Sequence, residues 1–436
     1  MLVVTSAARS GIATSMCGGV IRHSTRTISH NHSVHKASGT AGNPTPRELG
    51  FRMPGEYEPH AGTWMAFPYD PYLWRDEARP AQQQQVEIAR AISQFEPVWM
   101  LADPKARMMD ILTVYDVARS YFRGISGVEV INMPTNDVWT RDWGPTCVVR
   151  DDPVTGEREV AAVHFDFNCY GSPIKMEHGL PPLLPDWSKD RAAGRSLSRQ
   201  GAAATGAPMR VFECPLHLEG GAVQSDGAGT LLVTEECLLH YSRDPELDSA
   251  GIEALLRDYL GAERVVWLWK GMVGDEQGTN GHVDNVAAFA APGIVLLAWS
   301  DDADDPRLRE VCARNLAALD RHTDAQGRPL RVIKVPCPHP PLAVRPNEVN
   351  ALAAEGLAAG YATCMPAGRR LPASYINYYV ANGGVVVPQF GGEQVAPIVY
   401  CTSHIRAAVM SFILGDARPM AATVLIHQQT LCTRLI

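Results

Sequence analysis

Four polar clusters in the sequence carry side chains that could do chemistry. In Asn136-Asp137-Val138-Trp139-Thr140-Arg141-Asp142-Trp143-Gly144-Pro145, two carboxylates, an arginine and two indoles fall within seven residues. A carboxylate grips a guanidinium through paired, charge-assisted hydrogen bonds, and an indole face can stack on the same cation. An Asp–Arg structural pair beside a core tryptophan would look the same. In Leu218-Glu219-Gly220-Gly221 an acid stands before two glycines, where the backbone can turn sharply. Taken alone, that segment reads more simply as a turn with a solvated Glu. In Gly278-Thr279-Asn280-Gly281-His282-Val283-Asp284-Asn285, His282 and Asp284 are two apart, so on a strand they would share a face. A histidine beside an acid suits proton transfer near neutral pH. A turn satisfied by Asn and Asp side chains competes with that reading. The fourth cluster, Ala373-Ser374-Tyr375-Ile376-Asn377-Tyr378-Tyr379 with Asn382-Gly383-Gly384, offers polar groups but no acid or base, and reads as architecture with substrate contacts.

Other chemistries find no footing. His282 and Asp284 lack a third close ligand, no H-E-x-x-H occurs, and Cys337-Pro338-His339 lies in a proline-rich stretch, so no metal is expected. There is no phosphate-binding glycine loop, no dinucleotide fingerprint and no G-x-S-x-G elbow.

The elements that must position these clusters are short. Strand patterns fall at Gly62–Phe67, Val98–Leu101, Val128–Asn132, Thr146–Val149, Glu159–Phe167, Leu231–Thr234, Val265–Trp269, Val286–Ala290, Ile294–Trp299 and Val385–Pro388. Ala81–Phe95 carries an apolar stripe at helical spacing, and Ser249–Leu260 and Arg307–Arg321 read as further helices. Interleaved strands and helices point to an α/β or α+β protein. Pro185–Pro208, rich in Ser, Arg, Gly and Ala, reads as a surface loop insertion, and Cys337–Ala359 as a second loop.

Composition bounds the rest. With 436 residues, 46% of them hydrophobic, the chain can bury a large core. No apolar run is long enough for a membrane span. A formal charge of −8 argues against a nucleic-acid partner; it is compatible with a cationic substrate, and reads more simply as a charge that keeps the chain in solution. The ten cysteines form no regular framework and read as reduced, with Cys147, Cys214, Cys237 and Cys312 acting as small hydrophobes. Residues 1–47 contain no acid, five bases and many Ser and Thr, the composition of an organelle transit peptide. A plastid fits that leader better than a mitochondrion; an unstructured tail without an address would leave the protein cytoplasmic. Without its five bases, 34 basic residues face 47 acidic ones.

Together the segments Phe51–Phe67 (FRMPGEYEPHAGTWMAF), Asn136–Pro145, Leu218–Leu239 (LEGGAVQSDGAGTLLVTEECLL), Thr279–Asn285 and Ala373–Phe390 resemble the agmatine deiminases, peptidyl-arginine deiminase-like members of the guanidino-group-modifying (pentein) superfamily. The resemblance spans about Pro46 to Gly391. It implies a five-fold pseudosymmetric α/β propeller over 48–391, with the active site on the pseudo-symmetry axis. By that resemblance Asp142 and Asp284 hold the substrate guanidinium, His282 is the general acid/base, Glu219 orients it, and Trp139 and Trp64 line the pocket. The implied reaction hydrolyses agmatine to N-carbamoylputrescine and ammonia through a covalent amidino-cysteine, in putrescine and polyamine synthesis. It needs no metal or organic cofactor. Its partner is a small cationic guanidine, and a homo-oligomer is compatible with it.

The C-terminal segment 392–436 departs from the family. Relatives end in G-G-G-N-I-H-C, whose cysteine is the nucleophile; here the last unit is atypical. Cys432 lies near the expected distance from Phe390 and is the candidate nucleophile, with Cys401 the alternative. Two other readings stay open: a catalytically inactive guanidine-binding homologue or isoform, and a deiminase of peptidyl-arginine or free arginine.

Overall fold

The computed structural model describes residues 43–108, 111–205, 209–362, 365–388, 390, 423–426 and 433–435. Pro44–Ile436 form one compact unit. Most of the expected leader, and most of 392–436 including Cys401 and Cys432, lie outside the described residues.

Among the described residues, five small sheets repeat one ladder pattern, an antiparallel pair extended by a parallel strand. Thr146–Asp151, Arg158–Phe165 and Arg210–Cys214 form one such sheet. Gln224–Ser225, Thr230–Thr234 and Arg264–Leu268 form the next, followed by Ala287–Ala291, Ile294–Trp299 and Arg331–Pro336. Tyr379–Ala381, Gly384–Pro388 and Thr423–Ile426 make another. In the remaining sheet, Gly62–Ala66 runs parallel to Val98–Ala102, which pairs in parallel with Val128–Asn132. Its antiparallel strand, Thr433–Leu435, comes from the far end of the chain. A parallel step needs a long crossover, usually a helix. Arg79–Ile92, Val114–Tyr121, Ser249–Leu260 and Pro306–Asp320 supply such crossovers.

The strands Gly62–Ala66, Thr230–Thr234 and Ala287–Ala291 are buried on both faces, so they read as continuous apolar runs. Pro185–Pro208 corrects the loop expected there: Ser188–Thr205 is a helix. Its seam is narrow, with Ala193 and Leu197 buried one turn apart. So little apolar surface gives a weak periodic signal. Arg210–Cys214, Arg331–Pro336 and Val114–Tyr121 were likewise absent from the sequence reading, their apolar residues being diluted by Arg, Glu and Lys.

A buried polar knot ties the first sheet to the sheet of Tyr379. The Glu96 carboxylate accepts from His60 Nδ1 (3.0 Å), the Tyr379 hydroxyl (2.7 Å), Thr63 and the Asn382 backbone N–H (2.8 Å). Burial alone would raise the Glu96 carboxyl, but the hydrogen bond and charge of His60 and the two hydroxyls hold it at about 2. Its folded value lies below the ordinary glutamate value, so its stabilisation is full at neutral pH and fades as pH falls toward the folded value. Tyr379→Phe removes one donor to this buried charge and should cost about 1–3 kcal/mol in urea denaturation at pH 7. A loss that did not shrink in acid would mean that the phenol does not act through Glu96.

Candidate active site

The polar clusters converge at strand ends and tight turns. Asp142 sits in the one-turn helix Thr140–Trp143, after Val128–Asn132 and before Thr146–Asp151. Glu219 precedes the 3-10 turn Gly220–Ala222. His282 precedes the 3-10 turn Val283–Asn285, which contains Asp284. The strand geometry expected for His282 and Asp284 is therefore wrong: a short turn, fed by Asn280 and Gly281 at positive φ, delivers both side chains.

Gly221 measures how closely they meet. A Cβ placed on it would lie 2.5 Å from His282 Nδ1, 2.6 Å from Asp284 Oδ2 and 2.9 Å from Asp142 Oδ1. The Gly221 N–H donates to Asp142 Oδ1 at 3.1 Å, and the same oxygen lies 3.8 Å from His282 Nδ1. On the other side of the imidazole, Nε2 lies 3.5 Å from Glu219 Oε2. Glu219 is held in turn by Arg243, whose Nε lies 3.1 Å away and which also donates to Asn280 Oδ1 (3.1 Å) and the Thr279 carbonyl (2.9 Å). Arg243 and Asn280 thus fix the turn bearing His282 to the acid that faces it.

The charges are matched to a cation. Burial pushes the Asp284 carboxyl up to about 7, with the Asp142 charge adding to the shift and His282 and Arg141 opposing it. Burial also raises Asp142, against the pull of His282. Burial would strip the His282 proton, but Asp142, the Cys237 thiol and Glu219 hold it on, well above the ordinary histidine range. Burial would raise Glu219 too, yet Arg243 and His282 keep it at about 2. Around Gly221, three carboxyl groups, two of them raised by burial, stand against Arg243 and protonated His282, and a bound guanidinium would favour their ionised forms.

A narrow cleft opens beside Asp284, lined by Glu56, Arg141, Gln224, Ile376, Asn377 and Tyr378. Arg141 is paired with Glu56 through two contacts of 3.0 and 3.2 Å. The fourth polar cluster, read mainly as architecture, thus contributes cleft wall. Trp64 is buried in a core with Leu101, Trp143 and Ala162, its ring 6.2 Å from Trp99, and is not among the residues lining the described cleft. Its strand is buried on both faces, so alternation could not assign its direction. Trp139 is half-buried and stacked on Trp74. Both indole N–H groups donate to Asp137, at 2.7 Å from Trp139 and 3.0 Å from Trp74. Burial pushes the Asp137 carboxyl up to about 6 against those donors.

Donor atoms of Glu219, Cys237 and His282 lie within 4.8 Å of one another, a set that distance alone would allow to hold a metal ion. Arg243 already sits 3.1 Å from the Glu219 carboxylate of this set. Cys237 is buried, as expected, but it faces the imidazole as well as apolar neighbours. Sequence reasoning missed Arg243, Cys237, Gln224 and Tyr170. A charged residue in Ser242-Arg243-Asp244, soon after an apolar strand, was the available signal for the first.

Residues 52–400 match the family described as Porphyromonas-type peptidyl-arginine deiminase. The chain is 38% identical over 350 residues to a putative agmatine deiminase of Selenomonas ruminantium, covering 80% of this chain and 86% of that protein. It is 39% identical over 346 residues to an agmatine deiminase of Pseudomonas aeruginosa (strain LESB58), covering 79% and 85%. The solved structure of the agmatine deiminase of Enterococcus faecalis superposes with a TM-score of 0.73 at 30% identity, covering 90% of this chain and 98% of that one. That similarity gives the chain the same α/β fold.

Proposed function

The chain belongs to the Porphyromonas-type peptidyl-arginine deiminase family, beside the agmatine deiminases, and on that premise we propose that it hydrolyses agmatine to N-carbamoylputrescine and ammonia. One observation carries the proposal: Asp142, Asp284 and His282 all come within 2.9 Å of a single point above Gly221. Two carboxylates there hold a guanidinium in one orientation, which turns a bimolecular attack into a positioned one. A cysteine thiolate adds to the guanidinium carbon and forms a tetrahedral adduct. His282, held protonated, gives its proton to the departing nitrogen, and ammonia leaves. The neutral imidazole then takes a proton from water as the oxygen attacks the amidino-cysteine carbon. Collapse returns the thiolate and releases the urea product.

Cys432 is our nucleophile. The residue after it, Thr433, pairs with Trp64, and Thr433–Leu435 lie beside the Thr140–Trp143 turn that carries Asp142. Agmatine is favoured over free arginine by the cleft wall. Among the described residues Arg141 is its lining cation, and Glu56 already occupies it, which leaves little to receive an α-carboxylate. The five repeated ladders support a five-unit propeller, with a first unit completed by the last strand. We also read residues 1–47 as an organelle address, plastid in preference to mitochondrion; a fluorescent protein fused to them should leave the cytoplasm.

Ammonia release from agmatine by the full chain and by Cys432→Ser tests the reaction and the nucleophile together. Turnover lost in the variant assigns both. Turnover that survives moves the thiol elsewhere, with Cys401 next. Agmatine that binds without turnover identifies a guanidine-binding homologue.

The pH profile follows from Asp284. Its ionised form grips the cation, so kcat/KM should fall as pH drops through about 7. Bound guanidinium favours the carboxylate, so the acid limb of kcat should lie at lower pH. A kcat/KM that stays flat from about pH 8 to about pH 6 would remove Asp284 from the binding step.

A further inference from the structure

We propose that Tyr170 is a positioning residue for the guanidinium site, acting by holding the Asp142 carboxylate oxygen that the Gly221 N–H does not. The inference rests on the deiminase reading for its substrate and on geometry for its residue. The Tyr170 hydroxyl donates to Asp142 Oδ2 at 2.9 Å, while Gly221 N–H donates to Oδ1 at 3.1 Å. Among the described residues each carboxylate oxygen thus has one protein donor, and the carboxylate plane is set before substrate arrives. A buried acid with a single anchor could turn about its Cβ–Cγ bond; with two it cannot turn without breaking one of them. The phenol is itself enclosed, the residue being 6% exposed, and its ring lies 6.1 Å from the His282 ring, closing one side of the imidazole.

The backbone shows how unusual this placement is. Cys169, Tyr170 and Gly171 take φ values of 53°, 58° and 81°, three left-handed residues in succession. A left-handed residue other than glycine is uncommon, and such conformations persist where surrounding contacts over-determine them. The contacts here are specific. Asn168 Oδ1 accepts the Gly171 N–H at 2.8 Å, and the Cys169 carbonyl accepts the Ser172 hydroxyl at 2.7 Å. Any Cβ on Gly171 would fall 2.2 Å from the Ser242 carbonyl, next to Arg243. The reversed segment thus wedges between the Arg243 loop and Asp142, and Tyr170 is the side chain that it sends inward.

The hydrogen bond favours the ionised carboxylate. Asp142 faces His282, Glu219, Asp284 and Arg141 across the site, with Tyr170 its phenolic donor. Against the burial that raises it, the Tyr170 hydroxyl works in the opposite direction. Removing that hydroxyl leaves the carboxylate less easily ionised and free to turn.

The test is Tyr170→Phe in the full chain, with two readouts. Without substrate, the melting-temperature difference between wild type and variant is followed against pH. The lost bond stabilised the ionised acid, so the difference should widen as pH rises through the Asp142 titration. With agmatine, KM should rise about tenfold, the size of one lost charge-assisted bond, with a smaller change in kcat. A pH-independent melting difference together with an unchanged KM overturns the inference and leaves Tyr170 a packing residue. If wild type releases no ammonia from agmatine, the deiminase reading fails. The substrate-free pH dependence then decides the Tyr170 question alone, a flat difference overturning it.

Discussion

Gly221→Ala should abolish most turnover while leaving the protein folded. The added methyl would fall 2.5 Å from His282 Nδ1, 2.6 Å from Asp284 Oδ2 and 2.9 Å from Asp142 Oδ1. Gly221 is absent from the positive-φ residues, so alanine fits its backbone and the damage is confined to what the methyl displaces. Displacing a binding group by an ångström costs about a hundredfold, and losing an acid/base costs about 10²–10⁴. Both happen here, so kcat/KM should drop by at least about a thousandfold. Overpacking should cost only about 1–3 kcal/mol of stability. Agmatine turnover and urea denaturation on the same preparation separate the two effects. A folded variant within tenfold of wild type would show that the three side chains do not act at that point.

Arg243→Met should be the most destabilising single change near the site. Arg243 and Glu219 are both buried, 3.1 Å apart, and breaking a buried pair from one side leaves an uncompensated charge. Such losses run to about 3–5 kcal/mol. The pH dependence has a definite sign. Glu219 is held at about 2 in the intact protein, because Arg243 and His282 outweigh its burial. Without Arg243 its carboxyl rises and can take up a proton in mild acid. The deficit of Arg243→Met should therefore be largest at neutral pH and shrink as pH falls through the ordinary glutamate range. Glu219→Gln in the same chain should recover much of the loss, at the expense of activity. A deficit that stays constant with pH, or one unaffected by Glu219→Gln, would show that the pair is not what Arg243 stabilises.

The family and its α/β class were legible because several long motifs occur in order, and charged residues beside glycines mark strand ends. Asp142, Asp284, His282 and Glu219 were picked out on that basis, and the structure brings the four together. A strand period would put His282 and Asp284 on one face, but the chain makes a 3-10 turn there. Their convergence comes from Gly221, a partner about sixty positions earlier, which no local period can reveal. Trp64 was assigned to the pocket by family resemblance alone, and its all-buried strand offers no alternation to check that assignment. The helix Ser188–Thr205 was missed because its seam is made mainly of small residues. Tyr170 carried no charge to attract notice, and its value depends on a left-handed backbone that sequence spacing does not announce.

The strand Gly62–Ala66 has its antiparallel neighbour, Thr433–Leu435, near the other end of the chain, and the Glu96 knot reaches across to Tyr379 and Asn382. This closure has a consequence for synthesis. At about 5–20 residues per second, the first strand waits on the order of tens of seconds on the ribosome for its last partner. During that time its edge is open, and the long loop between the two ends must close before their contacts repay its entropy. The turn that carries Asp142 lies at this seam. A chain without the strand Thr433–Leu435 lacks the partner of Trp64 beside the turn of Asp142, so the emergence of activity should coincide with the last step of assembly.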